Sequence, residues 1–423
     1  MSLQASKIGS SALSVDWSGL QVMTIDSSSI NTAWTKAKAR ITKKDSDFYS
    51  APIDYNLSQI NESINLAEKI LESKKFTDCL FLGIGGSALG PITLLSSLEH
   101  LRTNEMGFHF VENPDAIDWN LKLKKLNPET TLVVVVTKSG TTYETIAQFL
   151  IALQWLKPER VKSNMIAITD PSKGDLKTWA TKNQIPTLHI APTIGGRFSI
   201  FTPVGLFAAK LAGLDPEKFL HGASQIREYC ENTESDKNVI FTTFERIFTL
   251  SERQPIHVLM PYSTRLKLMG SWWVQLWGES LGKDSKGYTP VAGVGATDQH
   301  SLLQLLRDGP NDKITGFVNI HQVDDPAMIP STSQGPYSSF EQLRGHSLHK
   351  LLNVEHQAIA RVLSRRPRPN WTLTIEKLDE SAMGAALFFF CVGTAYIAER
   401  LGVNPYDQPG VEEGKLYIRE LLK

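Results

Sequence analysis

Residues 79–91 read Cys-Leu-Phe-Leu-Gly-Ile-Gly-Gly-Ser-Ala-Leu-Gly-Pro. An apolar run ends in a turn that holds Gly83, Gly85 and Gly86, and the hydroxyl of Ser87 follows. Beyond it Leu89, Ile92, Leu95 and Leu98 recur at helical spacing. The pattern is that of a buried strand feeding a helix. Glycine destabilises a strand end unless the chain turns tightly there or something approaches its backbone closely. The turn lacks the third glycine of a dinucleotide-binding loop, and no Lys-Ser/Thr pair closes it as in a P-loop. It reads either as a tight strand-to-helix connection or as a turn that a ligand approaches.

The same alternation extends along the chain. Apolar β-type runs at 78–83, 107–111, 131–137, 164–169 and 186–190 are separated by helical patterns. One of these, 145–156, places Ile146, Phe149, Leu150, Leu153 and Leu156 on one face. A looser second series runs through 256–260, 290–294, 314–320 and 371–375. Strands alternating with helices predict βαβ units and mainly parallel sheets. The chain therefore reads as α/β, in two layers of similar type that meet near residues 192–200. A helical segment over 1–48, a first domain over 49–198 and a second over 199–423 are expected, with a helical C-terminal segment.

Composition narrows the function. Lys+Arg and Asp+Glu both number 44, so the net charge is zero, and nothing argues for a nucleic-acid surface or a polybasic membrane face. Cys79, Cys230 and Cys391 are odd in number and far apart, which gives no disulfide framework or zinc motif and fits a reducing cytoplasm. The N-terminal stretch has no apolar signal core, so no targeting segment is expected. The run 382–398 is short for a bilayer and is flanked by Asp379, Glu380, Glu399 and Arg400. It reads as a buried core helix. His346 and His349 are three apart, but no carboxylate pairing marks them as ligands, so they read as surface residues. No metal and no cofactor are expected.

Five further segments carry candidate chemistry. Thr137-Lys138-Ser139-Gly140-Thr141-Thr142 follows a strand and precedes a helix. Helix-start N–H groups, four hydroxyls and a lysine suit a phosphate, and simple N-capping accounts for one hydroxyl only. Gly195-Gly196-Arg197 can present a guanidinium to developing negative charge, or Arg197 can be a structural arginine at a domain junction. Gln275 and Glu279 lie one turn apart if helical. Met269, Trp272, Trp273 and Leu276 imply that this helix is largely buried, a setting that suits a general base; the alternative is a solvated carboxylate. His300 lies in a polar, glycine-flanked loop, and is either a ligand-facing or a structural histidine. Gln408 and Lys415 share a face only if a helix already begins near Gln408, and Lys415 otherwise reads as a solvated lysine.

Taken in order, GIGGSALGP, TKSGTTYET, GGRFSIFTPVGL, QLWGESLGK, GATDQHS and QPGVEEGK resemble the phosphoglucose isomerase family over about residues 80–415. The resemblance implies two SIS-type α/β/α sandwiches, a homodimer, and interconversion of glucose 6-phosphate and fructose 6-phosphate in glycolysis and gluconeogenesis. It places the phosphate against Ser87, Thr137, Lys138, Ser139 and Thr142, with Gly86, Gln275 and Gln408 beside the sugar. It implies that Glu279 is the base, that Arg197 stabilises the enediol, and that His300 and Lys415 open the ring, His300 reaching the partner subunit's site. Ala88 and Gly140 depart from residues common elsewhere in the family, without removing a catalytic group. Two alternatives stay open: an isomerase that also takes mannose 6-phosphate, and a non-catalytic phosphosugar-binding protein. The second has no need of Glu279, Arg197, His300 and Lys415 together.

Overall fold

The computed structural model describes residues 5–22, 24–42, 47–52, 57–331 and 338–423. Strands β1 (Ser6–Lys7) and β2 (Leu13–Asp16) come first, then helices α1 (Ser27–Thr42) and α2 (Leu57–Glu72). Alternation begins with β3 (Asp78–Leu82), α3 (Leu89–Ser97), β4 (Gly107–Val111), α4 (Ala116–Leu123), β5 (Thr131–Val136) and α5 (Tyr143–Leu156). It continues through α6 (Pro158–Asn164), β6 (Met165–Thr169), α7 (Asp175–Lys182) and β7 (Thr187–His189). Helices α8 (Pro203–Leu211), α9 (Pro216–Asn232) and α10 (Val239–Ser251) precede β8 (Ile256–Pro261), α11 (Lys267–Leu281), β9 (Thr289–Ala292) and α12 (Gln299–Asp308). Last come β10 (Lys313–Gln322), α13 (Leu348–Arg365), β11 (Asn370–Lys377), α14 (Glu380–Leu401) and α15 (Gly410–Leu421).

Every expected strand forms. Five make a wholly parallel sheet in the order β4-β3-β5-β6-β7. The run TLVVVV of β5 is buried throughout, as a parallel strand covered on both faces requires. Val133 and Val135 pack with Phe149, Ala152 and Leu156 of α5. Leu150, expected on that face, is 58% exposed. It lies at the margin of the apolar stripe, and Ala152 takes a place in the core instead. The chain runs from β3 outward to β4 and then returns past β3 to β5. The crevice at the carboxyl ends of β3 and β5 is thus a topological switch point, where open parallel sheets bind ligands. The two turns singled out in the sequence follow those two strands.

The second sheet has the order β1-β2-β11-β10-β8-β9. It is parallel from β11 to β9, while β1 and β2 pair antiparallel at its edge. The expected helical segment 1–48 therefore contains two strands besides α1; residues 1–4, 23 and 43–46 of it lie outside the described residues. Two and four residues are too few to show a period, and β2 holds its place by pairing Leu13–Asp16 with Thr372–Ile375. The division of the chain also differs from boundaries at 48 and 198. One compact unit is Lys36–Ser224 with Tyr406–Lys423, the other Met1–Thr35 with Gln225–Pro405. Each is completed by a segment remote in sequence, which local patterning does not reveal. The apolar run 382–398 lies in α14, which packs against α10, α11 and β11 and is buried along most of its length.

Two histidines are buried in the unit that carries the second sheet. His257 is held down to about 3 by burial, with Nε2 2.9 Å from Ser251 Oγ. His356 is held down to about 4 by burial, Asp16 opposing, with Nε2 3.1 Å from Thr372 Oγ1. Both are neutral in the fold near neutral pH, whereas in the unfolded chain they take up protons below about 6.5. The unfolded state then binds more protons, so stability present above that pH is lost as pH falls towards the folded values. Each should remove up to about 1.4 kcal/mol per pH unit in this window. Urea midpoints should show this slope, and His356→Gln should flatten it.

Candidate active site

The turn after β3 is a short 3₁₀ turn, Gly85–Ser87, with Gly85 at φ +55°. A Cβ on Gly86 would lie 2.1 Å from the Gly196 carbonyl carbon and 2.6 Å from the Arg197 nitrogen. What approaches Gly86 closely is thus the chain itself. The Ser199 hydroxyl donates to the Gly86 carbonyl at 3.0 Å and locks the two loops. Ser87 follows, half-buried, and the fully buried Ala88 leads into α3.

Three hydroxyls converge in the turn after β5. Thr137 Oγ1 lies 3.0 Å from Thr142 Oγ1 and 3.5 Å from Ser139 Oγ, and the last two are 3.4 Å apart. Thr142 occupies the N-cap position of α5 without a side-chain bond to the helix N–H groups. Capping therefore does not explain the cluster. Gly140, at φ +69°, packs against Gly174, at φ +97°, so both need glycine's freedom. Lys138 turns away from the hydroxyls: its ammonium donates to the carbonyls of Pro192 and Ile194. Burial holds its pKa below the usual lysine range, Asp170 opposing and the Arg197 charge adding to the fall.

Arg197 is 1% exposed. Its guanidinium donates to Gln408 Oε1 at 3.1 Å and to the Asp407 carbonyl at 3.0 Å, and stacks 5.5 Å from the Phe198 ring centroid. Gln408 precedes α15 by two residues, so it and Lys415 do not share a helix face. Lys415, on α15, instead lines a cleft of about 250 Å³ with Ile84, Thr141, Thr142, Tyr143 and Glu144. Arg419 Nε donates to Tyr143 Oη at 3.0 Å and ties α15 to the start of α5. Gly86, Arg197 and Gln408 are thus linked in one unit, where Lys415 stands beside the hydroxyl turn.

The other unit carries the candidate base. On α11, Trp272, Trp273, Leu276 and Trp277 are buried, and Gln275 and Glu279 lie half-buried on the adjoining face. Gln275 Nε2 donates to Glu279 Oε2 at 3.0 Å, as the one-turn spacing predicts. Gln275 Oε1 is buried without a hydrogen-bond partner among the described residues. An acceptor left in this way is ready for a hydroxyl donor. His300 stands on a different element, exposed in the first turn of α12. Among the described residues no three His, Cys, Asp or Glu side chains gather as metal ligands.

A family model described as phosphoglucose isomerase matches residues 52–423. The chain belongs to the phosphoglucose isomerase family. It is 40% identical over 370 residues to the glucose-6-phosphate isomerase of Rubrobacter xylanophilus, covering 84% of each chain. A solved structure of a hypothetical protein from Thermus thermophilus matches with a TM-score of 0.87 and 31% identity, over 93% of this chain and 94% of that one. A glucose-6-phosphate isomerase from Chlamydia trachomatis shares the fold at a TM-score of 0.82 and 21% identity, over 97% of this chain and 88% of its own. The fold is thus the SIS type found among phosphosugar isomerases.

Two features of this phosphoglucose isomerase family member were not found by reading its sequence. Asp170, at the end of β6, accepts the backbone N–H groups of Ser172 and Lys173 and supports the Lys138 charge; the Asp-Pro-Ser-Lys-Gly turn was the available signal. The carbonyls of Pro192, Ile194 and Asp407 hold two cations, and backbone acceptors leave no trace in residue type. Gly86→Ala should cost about 2 kcal/mol or more, because neither backbone can yield. Gly410→Ala, where nothing lies within 4 Å, serves as the control. Denaturant midpoints of the two variants check this.

Proposed function

We propose that the protein interconverts glucose 6-phosphate and fructose 6-phosphate. The observation that carries this reading is the hydroxyl cluster of Thr137, Ser139 and Thr142 at the uncapped start of α5, in a chain of this family. The phosphate binds there with Ser87, attracted by the helix N–H groups and dipole. Lys138, held to the loop before Gly195, adds positive charge nearby. Gly86, Gln275 and Gln408 contact the sugar, and the free Gln275 Oε1 accepts from one of its hydroxyls.

Isomerisation requires an open chain. His300 and Lys415 move a proton from the anomeric hydroxyl to the ring oxygen, which frees the carbonyl. Glu279 removes the C2 proton of the aldose and delivers it to C1 through a cis-enediol, while the proton of the C2 hydroxyl passes to the C1 oxygen. Negative charge grows on oxygen during this step, and the buried Arg197 guanidinium stabilises it; donors in that role contribute about 3–4 kcal/mol. His300 completes the site of the partner subunit in a homodimer. The three buried thiols suit a reducing cytoplasm.

A coupled assay that follows glucose 6-phosphate formed from fructose 6-phosphate, with EDTA present, tests the reading. Turnover insensitive to chelation is the expected result. Bound sugar phosphate without turnover would make the protein a phosphosugar-binding member instead. Glu279→Gln should lower kcat by roughly 10²–10⁴-fold while phosphate still competes for the site; wild-type turnover in this variant would remove Glu279 as base. Mixing the impaired Glu279→Gln and His300→Ala protomers should raise activity above that of either alone, since one site of the hybrid then has both groups. No recovery would place each His300 in its own subunit's site.

A further inference from the structure

The loop before α12 is held more firmly than an exposed histidine on a helix end requires. Asp298 Oδ2 accepts the Val294 amide at 2.7 Å, and the Asp298 amide donates to the Val294 carbonyl at 2.6 Å. Beneath this loop lies Tyr262, the residue after β8, 1% exposed. A Cβ on Gly295 would lie 2.4 to 2.6 Å from three atoms of the Tyr262 ring, so the loop backbone rests on the ring itself. Phe317 and His356 meet that ring edge-on, at centroid distances of 5.8 and 5.2 Å. The Tyr262 hydroxyl donates to Gln299 Oε1 at 2.7 Å. Gln299 adjoins His300, and both belong to the first turn of α12.

Packing alone does not call for that hydroxyl. A phenylalanine ring fills the same space, and a phenol placed in a core costs stability unless it is bonded. Burial holds the phenol above its ordinary pKa, so the group remains a donor. Its bond goes to the residue beside the histidine.

We propose that Tyr262 is a positioning residue for His300: ring and hydroxyl together fix where α12 begins, and hence where the imidazole stands. The inference rests on the reading of His300 as a ring-opening group. Misplacing a catalytic group by about 1 Å can cost about 100-fold in rate, so a rigid support below an exposed side chain has a kinetic purpose.

The test uses Tyr262→Phe, which keeps the ring. Two rates are read in the intact enzyme: isomerisation of fructose 6-phosphate, and exchange of the glucose 6-phosphate anomers, which needs ring opening but no C2 proton transfer. Tyr262→Phe should slow both about three- to tenfold, the loss typical of one hydrogen bond, with kcat falling more than KM changes and little shift in melting temperature. Gln299→Met should copy that loss, and Gln299→Glu, which keeps an acceptor, should recover part of it. In a His300→Ala background Tyr262→Phe should cause no further loss. Wild-type rates for Tyr262→Phe, or an equal loss with and without His300, would overturn the inference while leaving His300 in its role. Unchanged anomer exchange in His300→Ala would remove that role, and the inference with it.

Discussion

The contact between Gly86 and the backbone at Gly196 is the constraint on which the polar centre of its unit depends. Two loops meet there with no side chain between them. Gly86 belongs to the turn after β3, at the switch point of the parallel sheet, and Arg197 is the next residue beyond the contact. Its guanidinium is thereby placed with a fixed backbone under it, and it holds Gln408 and the Asp407 carbonyl in turn. Those residues lead into α15, which carries Lys415. One close approach of backbones thus sets an arginine, a glutamine and a lysine that the sequence scatters over more than two hundred positions.

The same geometry explains what could be read in advance. Strands β3, β5 and β6 are buried on both faces, so each is a continuous apolar run that stands out in the sequence. The hydroxyls at 137–142 are equally legible, because six consecutive residues bring them together. The Gln275–Glu279 pair needs only a helical period. By contrast, the Arg197–Gln408 bond joins residues 211 apart, and the carbonyls that hold Lys138 belong to no residue type. Strands β1 and β2 are short and largely polar, and their register is set by the edge of β11 rather than by their own pattern. Interactions that are local in sequence are legible, and those created by topology are not.

Charge in the first unit is arranged with a common logic. Arg197 and Lys138 are anchored by carbonyl and amide oxygens. Such acceptors orient a cation without bringing an opposite charge of their own, and for Lys138 the Asp170 carboxylate adds to the support. Desolvation limits how far the arrangement can go, which is why the half-buried Lys138 loses some affinity for its proton.

Helix starts show the same division between structure and ligand. Asp115, Thr202, Asn238, Ser347 and Asp379 cap α4, α8, α10, α13 and α14 with side-chain bonds to helix N–H groups. Helices α3, α5, α12 and α15 begin beside Ser87, Thr142, His300 and Gln408, and none has such a cap. Helices α6, α7 and α11 also start uncapped, so a missing cap does not itself define a site. At α5, however, a threonine sits in the cap position and bonds to neighbouring hydroxyls instead. A side chain that caps its helix occupies donors that an incoming anion needs, and a threonine that leaves them open adds its own hydroxyl to the set. The turn after β5 thus forgoes the local stability of a cap, about 1 kcal/mol, and leaves the first N–H groups of α5 without a side-chain partner beside three hydroxyls, at the switch point of the parallel sheet.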